Sequence, residues 1–300
     1  MNGCGGQNCA RRGGGILLYS GATLFVYDST ISHNNQRGTD IGHYGCGGGL
    51  YLFEGTSATI TGSTISHNRA DYAGGGICKK CGVDAWGDPR YCSGAVTIIG
   101  SIISHNTAYD YGGGLYLSGS TVTITGSTIS QNSATLGSGE TCGGGLYMII
   151  STVTITASTF SHNTALVGGG FWMKRCFSTI TGSILSHNTA SVNGGGLWLQ
   201  DSSSATITGS AISHNKAGRD VDPSFYDHGV SGLNYVHDGG GLYLSGSTAT
   251  LTGSTISHNT ALGSVGYVSF ARTQSKYDFH NWAKSSTFCE DKKKCASVSL

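Results

Sequence analysis

The chain contains 300 residues, including 50 glycines and only 2 prolines; 11% of its residues are charged, and its formal net charge is +1. This near-neutral balance excludes the basic footprint of a nucleic-acid-binding protein, and glycines that cluster in threes exclude the three-residue period of collagen. We therefore expect no nucleic-acid partner. We also expect no membrane span in this chain, because no apolar run is long enough to cross a bilayer as a helix.

Residues 1–12 form a stub before the first repeat. They read MNGCGGQNCARR, which lacks the basic and apolar regions of a signal peptide. For a surface-type fold, this beginning indicates a fragment of a longer protein. Cys4 and Cys9 are close enough in sequence to form a local disulfide at this N-terminal edge.

Residues 13–261 are predicted to consist of eight copies of one repeat. The copies begin at Gly13, Gly47, Gly74, Gly112, Gly143, Gly168, Gly194 and Gly239. In the fourth copy, GGGLYLSGSTVTITGSTISQNSA, alternation with period two predicts three short strands that point Leu115, Val122 and Ile129 inward. A unit of about 23 residues cannot bury its apolar side alone, so the copies are expected to coil and stack about 4.8 Å apart. The predicted fold class is all-β: a single-stranded parallel β-helix of about eight rungs, with inserted loops at its corners.

Stacking aligns each repeat position into a column along the helix axis. The column of Gly126 lies between the second and third strands, where a positive φ is expected, so Ala157 in that column should be mildly strained. The histidine column, with Gln131 in the fourth copy, is open to three interpretations: a metal site, a pH sensor or a stack of neutral imidazoles. The asparagine column is predicted to be a structural ladder of side-chain amides. Its members are Asn34, Asn68, Asn106, Asn132, Asn163, Asn188, Asn215 and Asn259.

Each copy ends in an apolar-x-x-Asn step, followed after a turn by a glycine run and an apolar residue. Residues 65–68 (ISHN) precede residues 74–77 (GGGI), and residues 160–163 (FSHN) precede residues 168–171 (GGGF). These motifs resemble the FxxN and GGAI repeats of chlamydial polymorphic outer membrane proteins and their autotransporter-like relatives. In this chain the motifs are mostly IxxN and GGGL. The resemblance implies a right-handed parallel β-helix and an extracellular or cell-surface location.

Four inserted loops are predicted at the corners of the solenoid, where insertions leave the stacked strands undisturbed. They span residues 35–46, 78–93, 133–142 and 216–238. Residues 262–300 are more charged and more aromatic than the repeats, and they are predicted to form an irregular C-terminal cap or tail.

Ten cysteines are many for a cytosolic chain, and an oxidising compartment would explain them. Cys78, Cys81 and Cys92 fall within one insertion, and Cys46 lies one rung earlier. These four thiols are expected to form either two disulfides or a zinc site. A further local pair is expected near the C-terminus, between Cys289 and Cys295.

The outward position of the first strand is aromatic in five consecutive copies. The five residues are Tyr116, Tyr147, Trp172, Trp198 and Tyr243. Such a stripe is interpreted in two ways. It would stabilise the sheet by packing between strands, or it would be an exposed platform on which the sugar rings of a glycan stack. In the second case the loop at residues 216–238 must leave the stripe uncovered.

The outward face of the second strand carries Thr-x-Thr in six copies. The candidate residues in the central copies are Thr123, Thr125, Thr154, Thr156, Thr179 and Thr181. The two rows resemble the face of β-solenoid antifreeze proteins, which implies ice binding. The alternative interpretation is that threonine is simply a favourable residue in an exposed strand. In the third copy Ile99 replaces the second threonine, so Thr97 has no threonine beside it and one of the two rows is interrupted.

The strands are nearly uncharged, and no residues are predicted to be catalytic. Lys174, Arg175 and Asp201 lie close to the aromatic column, but they form no pair of carboxylates. The predicted function is non-enzymatic adhesion or binding outside the cell, with polysaccharides or cell-surface glycans as candidate partners and no cofactor. A carbohydrate-active enzyme and an ice-binding protein are the alternatives. The solenoid's open edges also make end-to-end association, or association within a larger chain, a candidate interaction.

Overall fold

The computed structural model describes residues 13–37, 45–82, 91–135, 141–218 and 238–262, together with three strands at Val268–Ala271, Thr287–Asp291 and Lys294–Ser297. This part of the chain forms four long parallel sheets, and each turn of the chain adds one strand to each sheet. Eight such turns, called rungs below, stack on one another. The predicted parallel β-helix of about eight rungs is therefore confirmed. No segment described here is a helix that could cross a membrane.

Within each rung the chain passes through sheets I, II, III and IV in that order. Sheet I contains Ile16–Leu18, Leu50–Leu52, Ile77–Lys79, Leu115–Ser118, Leu146–Ile149, Phe171–Lys174, Leu197–Gln200, Leu242–Ser245 and Val268–Ala271. Sheet II contains Thr23–Tyr27, Ser57–Thr61, Ala95–Ile99, Thr121–Thr125, Thr152–Thr156, Phe177–Thr181, Ser204–Thr208 and Thr248–Thr252. Sheet III contains Thr30–Ser32, Thr64–Ser66, Ile102–Ser104, Thr128–Ser130, Thr159–Ser161, Ile184–Ser186, Ala211–Ser213 and Thr255–Ser257. Sheet IV contains Asn35–Gln36, Arg69–Ala70, Thr107–Ala108, Ser133–Ala134, Thr164–Ala165, Thr189–Ala190, Lys216–Ala217 and Thr260–Ala261.

Sheet IV differs from the prediction of three strands per repeat. Its strands hold only two residues each, and two residues show no readable alternation of apolar and polar side chains. The first residues of three predicted loops are therefore in strands of this sheet, at Asn35–Gln36, Ser133–Ala134 and Lys216–Ala217. The fourth predicted loop likewise begins within the sheet I strand Ile77–Lys79. The middle parts of these loops, at residues 38–44, 83–90, 136–140 and 219–237, lie outside the described residues.

The strands pair in register, so each repeat position becomes a column. Leu115 aligns with Leu146 in sheet I, and Ile124 aligns with Ile155 in sheet II. These inward side chains are fully buried and belong to one apolar cluster that runs through all eight rungs. The burial of this column, at roughly 25 cal/mol per Å² of apolar surface, is the main stabilising contribution to a fold whose strands are individually too short to be stable.

Glycine is required in this repeat for two different physical reasons. Gly126, between sheets II and III, has φ +58°, and a Cβ there would meet no atom within 4 Å, so only its backbone conformation favours glycine. Ala157 occupies the same column with φ +49° and is strained as expected. Gly114 has no such conformation, but a Cβ on it would lie 2.7 Å from the carbonyl oxygen of Gly145 in the next rung. Close stacking of the rungs therefore excludes a side chain at Gly114.

The asparagine column forms a hydrogen-bonded ladder. The backbone N–H and the Nδ2 of Asn132 both donate to Oδ1 of Asn163 in the next rung, each at 3.0 Å. The same Nδ2 also donates to the carbonyl oxygen of Ile103 in the preceding rung at 2.9 Å. This arrangement repeats along the column and leaves the buried amides satisfied. The participating residues are Asn34, Asn68, Asn106, Asn132, Asn163, Asn188, Asn215 and Asn259.

A second ladder, made of serines, follows the bend between sheets II and III and was not predicted. The backbone N–H of Ser127 donates to Oγ of Ser158 in the next rung at 3.1 Å, and that hydroxyl donates in turn to the carbonyl oxygen of Thr156 at 2.8 Å. The two ladders pair the buried polar groups at two corners of every rung, where the chain leaves one sheet for the next.

The chain continues as strand beyond the predicted repeats. Val268–Ala271 adds a ninth strand to sheet I by pairing with Leu242–Ser245. Thr287–Asp291 and Lys294–Ser297 form an antiparallel pair in which the backbone positions of Cys289 and Cys295 are opposite each other. The structure therefore contains regular strands in the segment predicted to be an irregular cap. Cys4 and Cys9 lie outside the described residues.

Candidate functional site

The aromatic stripe on the outer face of sheet I is largely buried. Tyr116, Tyr147 and Trp172 are only 6–8% exposed, and Trp198 and Tyr243 are partly buried. The rings of Tyr116 and Tyr147 stack with centroids 5.1 Å apart, and those of Tyr147 and Trp172 stack at 4.5 Å. The expectation of an exposed platform for sugar rings is therefore wrong at Tyr116, Tyr147 and Trp172. These rings form an internal stack between strands.

The stripe is covered by the connection from sheet IV back to sheet I. This connection places Tyr111, Cys142 and Val167 against the rings, and together they form a second apolar cluster outside the main core. The Tyr111 ring lies 4.9 Å from that of Tyr147. Burial in this cluster raises the pKa of the Tyr116 phenol to about 12 and also raises the pKa of the Tyr147 phenol. The cover over Tyr116, Tyr147 and Trp172 is therefore formed by the residues that lie just before the glycine runs.

Two disulfides use the four cysteines around the insertion in the third rung. Cys46 bonds to Cys78, and Cys81 bonds to Cys92, with Cα atoms 5.8 and 5.7 Å apart. Cys78 takes the place in the stripe that an aromatic ring takes in neighbouring rungs, and it belongs to the same covered cluster. The zinc alternative is therefore wrong for these thiols, because both pairs are oxidised. Among the described residues, no group of three or more His, Cys, Asp or Glu could hold a metal ion.

The outer face of sheet II, in contrast, is exposed. One threonine row runs through seven consecutive rungs: Thr59, Thr97, Thr123, Thr154, Thr179, Thr206 and Thr250. A parallel row contains Thr61, Thr125, Thr156, Thr181, Thr208 and Thr252, with Ile99 in the third rung. We call these two rows the threonine face. Every one of its side chains is exposed or half-buried, and none carries a charge.

The spacing of the threonine face follows from sheet geometry. Neighbouring strands lie about 4.8 Å apart and alternate residues along one strand lie about 6.6 Å apart, so the seven-residue row extends over about 29 Å. Within the described residues, the side-chain hydroxyls of Thr154 and Thr179 make no hydrogen bond to another protein group. The face therefore presents a regular grid of methyl and hydroxyl groups that remain available to a ligand.

A row of histidines runs along the bend between sheets III and IV. Its side chains are exposed, and each backbone has φ between +54° and +58°. The row contains His33, His67, His105, His162, His187, His214 and His258, with Gln131 between the third and fourth histidines. Neighbouring rings are parallel to within 5° and have centroids 4.7–5.0 Å apart. The stack is thus formed in two segments, of three and four imidazoles.

The charged residues near the aromatic column form an ion pair. Nζ of Lys174 lies 3.1 Å from a carboxylate oxygen of Asp201, and both side chains are partly exposed at the turn between sheets I and II. Arg175 is at the same turn with a positive φ of 52°. One lysine paired with one aspartate does not provide the two carboxylates of the usual glycoside-hydrolase mechanism.

A comparison with family models identifies the group of proteins to which this solenoid belongs. The model of a right-handed β-helix region matches residues 90–281, which is more than half of the chain. The chain belongs to the right-handed β-helix family. Searches of the curated proteins and of the solved structures found no match to it.

For this right-handed β-helix, sequence reasoning found the threonine rows but missed the cover over the aromatic stripe. A signal was present in the residue immediately before the glycine run, which is apolar or aromatic in several copies, as at Ala73, Tyr111, Cys142 and Val167. These residues also pair from rung to rung as isolated bridges. An apolar column beside a turn predicts that the turn packs on something, and the nearest apolar surface is the stripe.

Proposed function

We propose that this β-helix is a non-enzymatic binding protein outside the cell, that its contact surface is the threonine face, and that its ligand is ice. The observation that carries the proposal is the seven-rung threonine row, which is in register, exposed and uncharged. A regular lattice of ligand sites is best matched by a regular lattice of protein groups. Rigid strands hold those groups in place at little cost in conformational entropy on binding.

The choice of ice over a glycan rests on which groups are exposed. A glycan would be held by a continuous run of exposed rings on which sugars stack, but Tyr116, Tyr147 and Trp172 are covered. The exposed rings of Phe25 and Tyr27 are in the first rung and that of Phe177 is in the sixth, so they form no such run. The threonine face offers methyl groups that exclude water and hydroxyl groups that donate and accept hydrogen bonds. It resembles the face of β-solenoid antifreeze proteins in having two threonine rows, which supports the same class of ligand here.

An extracellular or cell-surface location is supported by two further features. Cys46–Cys78 and Cys81–Cys92 are disulfides, which persist in oxidising compartments. The IxxN and GGGL motifs resemble those of polymorphic outer membrane proteins, which are surface proteins. Both features are consistent with a protein that meets its ligand outside the cell.

The test measures thermal hysteresis and the inhibition of ice recrystallisation by the purified chain. The double variant Thr154→Lys/Thr179→Lys places two bulky charges in the centre of the long row and should abolish both activities. The matched control Thr128→Lys/Thr159→Lys places the same charges on adjacent rungs of sheet III and should retain them. Equal activity of the two variants, or no activity in the wild-type chain, would contradict the proposal.

The two other predicted functions, glycan binding and enzymatic cleavage of carbohydrates, are each tested by a separate assay. A glycan array detects carbohydrate binding, and release of reducing ends from polysaccharides detects glycosidic cleavage. Glycan binding that survives Thr154→Lys/Thr179→Lys, in a chain without ice activity, would replace the proposal with a carbohydrate-binding function. Release of reducing ends that is lost in a Lys174→Met or Asp201→Asn variant would replace it with an enzymatic function.

A further inference from the structure

The outer face of sheet II and the adjoining face of sheet III carry six large apolar side chains at positions where most other rungs have threonine or serine. Each of these side chains is 41–59% exposed. They are Phe25, Tyr27, Ile99 and Phe177 on sheet II and Ile102 and Ile184 on sheet III. A concentration of exposed apolar groups on one side of a protein usually marks a contact with another molecule.

In the first and sixth rungs, these side chains are placed symmetrically about the line between the two threonine rows. Phe25 and Tyr27 stand in the two rows themselves, as the first member of each. In the sixth rung, Phe177 stands two residues before one row, and Ile184 stands three residues after the other, beyond the bend. The line between the rows therefore has one exposed apolar side chain on each side of it in both rungs.

This arrangement is self-complementary under a two-fold axis that runs along that line, parallel to the helix axis. In a symmetric dimer, residue i of one copy contacts residue j of the other, and j contacts i. When two copies pack face to face about this axis, each rung meets the same rung of the other copy. Phe25 then meets Tyr27 of the second copy, and Phe177 meets Ile184. Each contact occurs twice.

Two copies with opposite axis directions fit less well. Over the same area of overlap, the first rung of one copy would face the eighth rung of the other. Phe25 and Tyr27 would then lie against Thr250 and Thr252, which belong to the same two rows. The aromatic rings would lose their aromatic partners, so the parallel orientation is the better match.

The outer face of sheet II is large enough and neutral enough for such a contact. Eight strands of five residues, at about 3.3 Å per residue and about 4.8 Å between strands, give a footprint of about 600 Å². Two such faces amount to about 1,200 Å², the lower limit for specific protein interfaces. None of these eight strands contains a charged residue, so the contact desolvates no charge within the sheet.

We infer that the outer face of sheet II is a contact surface for a second copy of this chain, packed face to face with the two helix axes parallel. The threonine hydroxyls are compatible with this contact, since a hydroxyl both donates and accepts a hydrogen bond and pairs with a hydroxyl opposite it or with a bridging water. The contact covers the threonine face, so a second copy and ice compete for the same surface. Only this last consequence rests on the proposed function.

Sedimentation equilibrium of the purified chain, at concentrations from about 1 to 300 µM, tests the contact. We expect a monomer–dimer equilibrium with a Kd in the micromolar range, because an interface at the lower size limit retains little free energy after the cost of association. Phe25→Thr/Tyr27→Thr, which installs the residue of the two rows, should raise the Kd at least about tenfold. The matched control Leu17→Thr/Tyr19→Thr removes two exposed apolar side chains of the same rung from sheet I and the turn after it, and it should dimerise as the wild-type chain does.

A nitroxide spin label on Thr250→Cys tests the orientation. Thr250 lies at the end of the face that carries no large apolar side chain, so the label removes none of the apolar contacts. Parallel axes place the two labelled Cα atoms about 12 Å apart, whereas opposite axes separate them by seven rungs, or about 34 Å. We expect the shorter distance in an electron–electron resonance measurement. The wild-type chain treated with the same reagent gives the background from its own thiols.

A chain that stays monomeric at every concentration would refute the contact, whatever its ice activity. Equal Kd values for Phe25→Thr/Tyr27→Thr and the Leu17→Thr/Tyr19→Thr control would also overturn it, and the longer label distance would overturn the parallel orientation. If a monomeric chain binds phosphatidylcholine vesicles through Phe25 and Tyr27, the apolar side chains contact lipid instead.

Dimers in a chain without ice activity would support this inference and contradict the proposed function, so the two failures are distinguishable. Circular dichroism checks that the first-rung variant keeps its β-sheet spectrum. If it does not, Phe177→Thr in the sixth rung provides the same comparison with the control and should also raise the Kd.

Discussion

Sheets I and II both point a repeated row of side chains outward, but only one of these rows reaches solvent. On sheet I the row is aromatic and is covered by turns, with Tyr147 at 8% exposure. On sheet II the row is threonine and is exposed at Thr154 and Thr179. The difference shows that an outward side chain in a solenoid is accessible only where no connection returns across it.

Connection length explains which row is covered. In the fifth rung, two residues link sheet I to sheet II, two link sheet II to sheet III, and two link sheet III to sheet IV. Five residues, 166–170, link sheet IV to the next strand of sheet I. Two-residue bends cannot reach across a sheet. The five-residue connection can, and it places Val167 on the rings.

The largest expected effect is at the centre of the covered row. Tyr147→Ala should lower the free energy of unfolding by about 3–5 kcal/mol, because it removes a buried ring and leaves a cavity. The ring stacks on Tyr116 and on Trp172, so both contacts are lost. Denaturant unfolding followed by circular dichroism measures the change. A loss below about 1 kcal/mol, as expected for a surface ring, would show that the turns do not cover the stripe in solution.

The next effect concerns the disulfide that replaces a ring in the same row. Cys46–Cys78 closes a loop of 32 residues, and loop-closure entropy assigns such a cross-link about 4 kcal/mol. Cys46→Ala/Cys78→Ala should therefore destabilise the chain by about 2–4 kcal/mol. The control is Cys142→Ala, which changes a buried cysteine of the same cluster that is in no disulfide, so no loop is opened. Equal losses in the two variants would mean that packing, and not the cross-link, accounts for the effect.

The fold could be predicted from the sequence because each repeat contains the residues that determine its own strands and bends. The alternation of apolar and polar residues in TVTIT predicts a strand, and Gly126 predicts a bend with a positive φ. An asparagine at the position of Asn132 in every repeat predicts the hydrogen-bonded ladder. The covered stripe could not be predicted in the same way, because Tyr147 is outward in its own strand and is covered by residues on another column. Sheet IV was missed for a related reason: a two-residue strand such as Thr164–Ala165 is defined by its neighbours and not by its own sequence.

The third prediction concerns Lys79, a buried lysine on the inner side of sheet I, and the dependence of stability on pH. Lys79 stands in the core column between Leu52 and Leu117, and its Nζ donates to the carbonyl oxygens of Thr56 at 2.7 Å and Phe53 at 3.3 Å. Burial lowers the pKa of Lys79 from its usual 10.5 to about 8, while Glu54 opposes that shift.

Between about pH 8 and 10 the unfolded chain then holds a proton on Lys79 that the folded chain has lost. The free energy of unfolding should therefore rise with pH between about pH 8 and 9. Lys79→Met, which copies Met148 in the same column, should flatten the rise, whereas Lys174→Met should not. Above about pH 9 the Cys176 thiol, whose pKa burial raises from 9.0 to about 12, acts in the opposite direction, so the measurement ends there. If the free energy of unfolding rises with pH as much in Lys79→Met as in the wild-type chain, a group other than Lys79 causes the rise.

The smallest effect is expected on the exposed row. Thr154→Val/Thr179→Val keeps a β-branched side chain of the same shape in an exposed strand position, so the free energy of unfolding should change by less than about 0.5 kcal/mol. A buried hydroxyl of the same rung provides the contrast. Oγ of Ser158 accepts the backbone N–H of Ser127 at 3.1 Å, and Ser158→Ala should cost about 1–3 kcal/mol because that buried donor is left unpaired. Denaturant unfolding of both variants measures the difference.

If the valine pair instead costs as much as Ser158→Ala, its hydroxyls must be engaged within the protein, and the threonine face is covered as the aromatic stripe is. If the free energy of unfolding is unchanged, the same valine variant can be used to test how the hydroxyl groups contribute to ligand binding. Any loss of ice activity would then come from the missing hydroxyls, since the methyl groups and the spacing of the row are preserved. Full activity would assign recognition to the methyl groups, and Thr154→Ser/Thr179→Ser, which keeps only the hydroxyls, should then be the inactive variant.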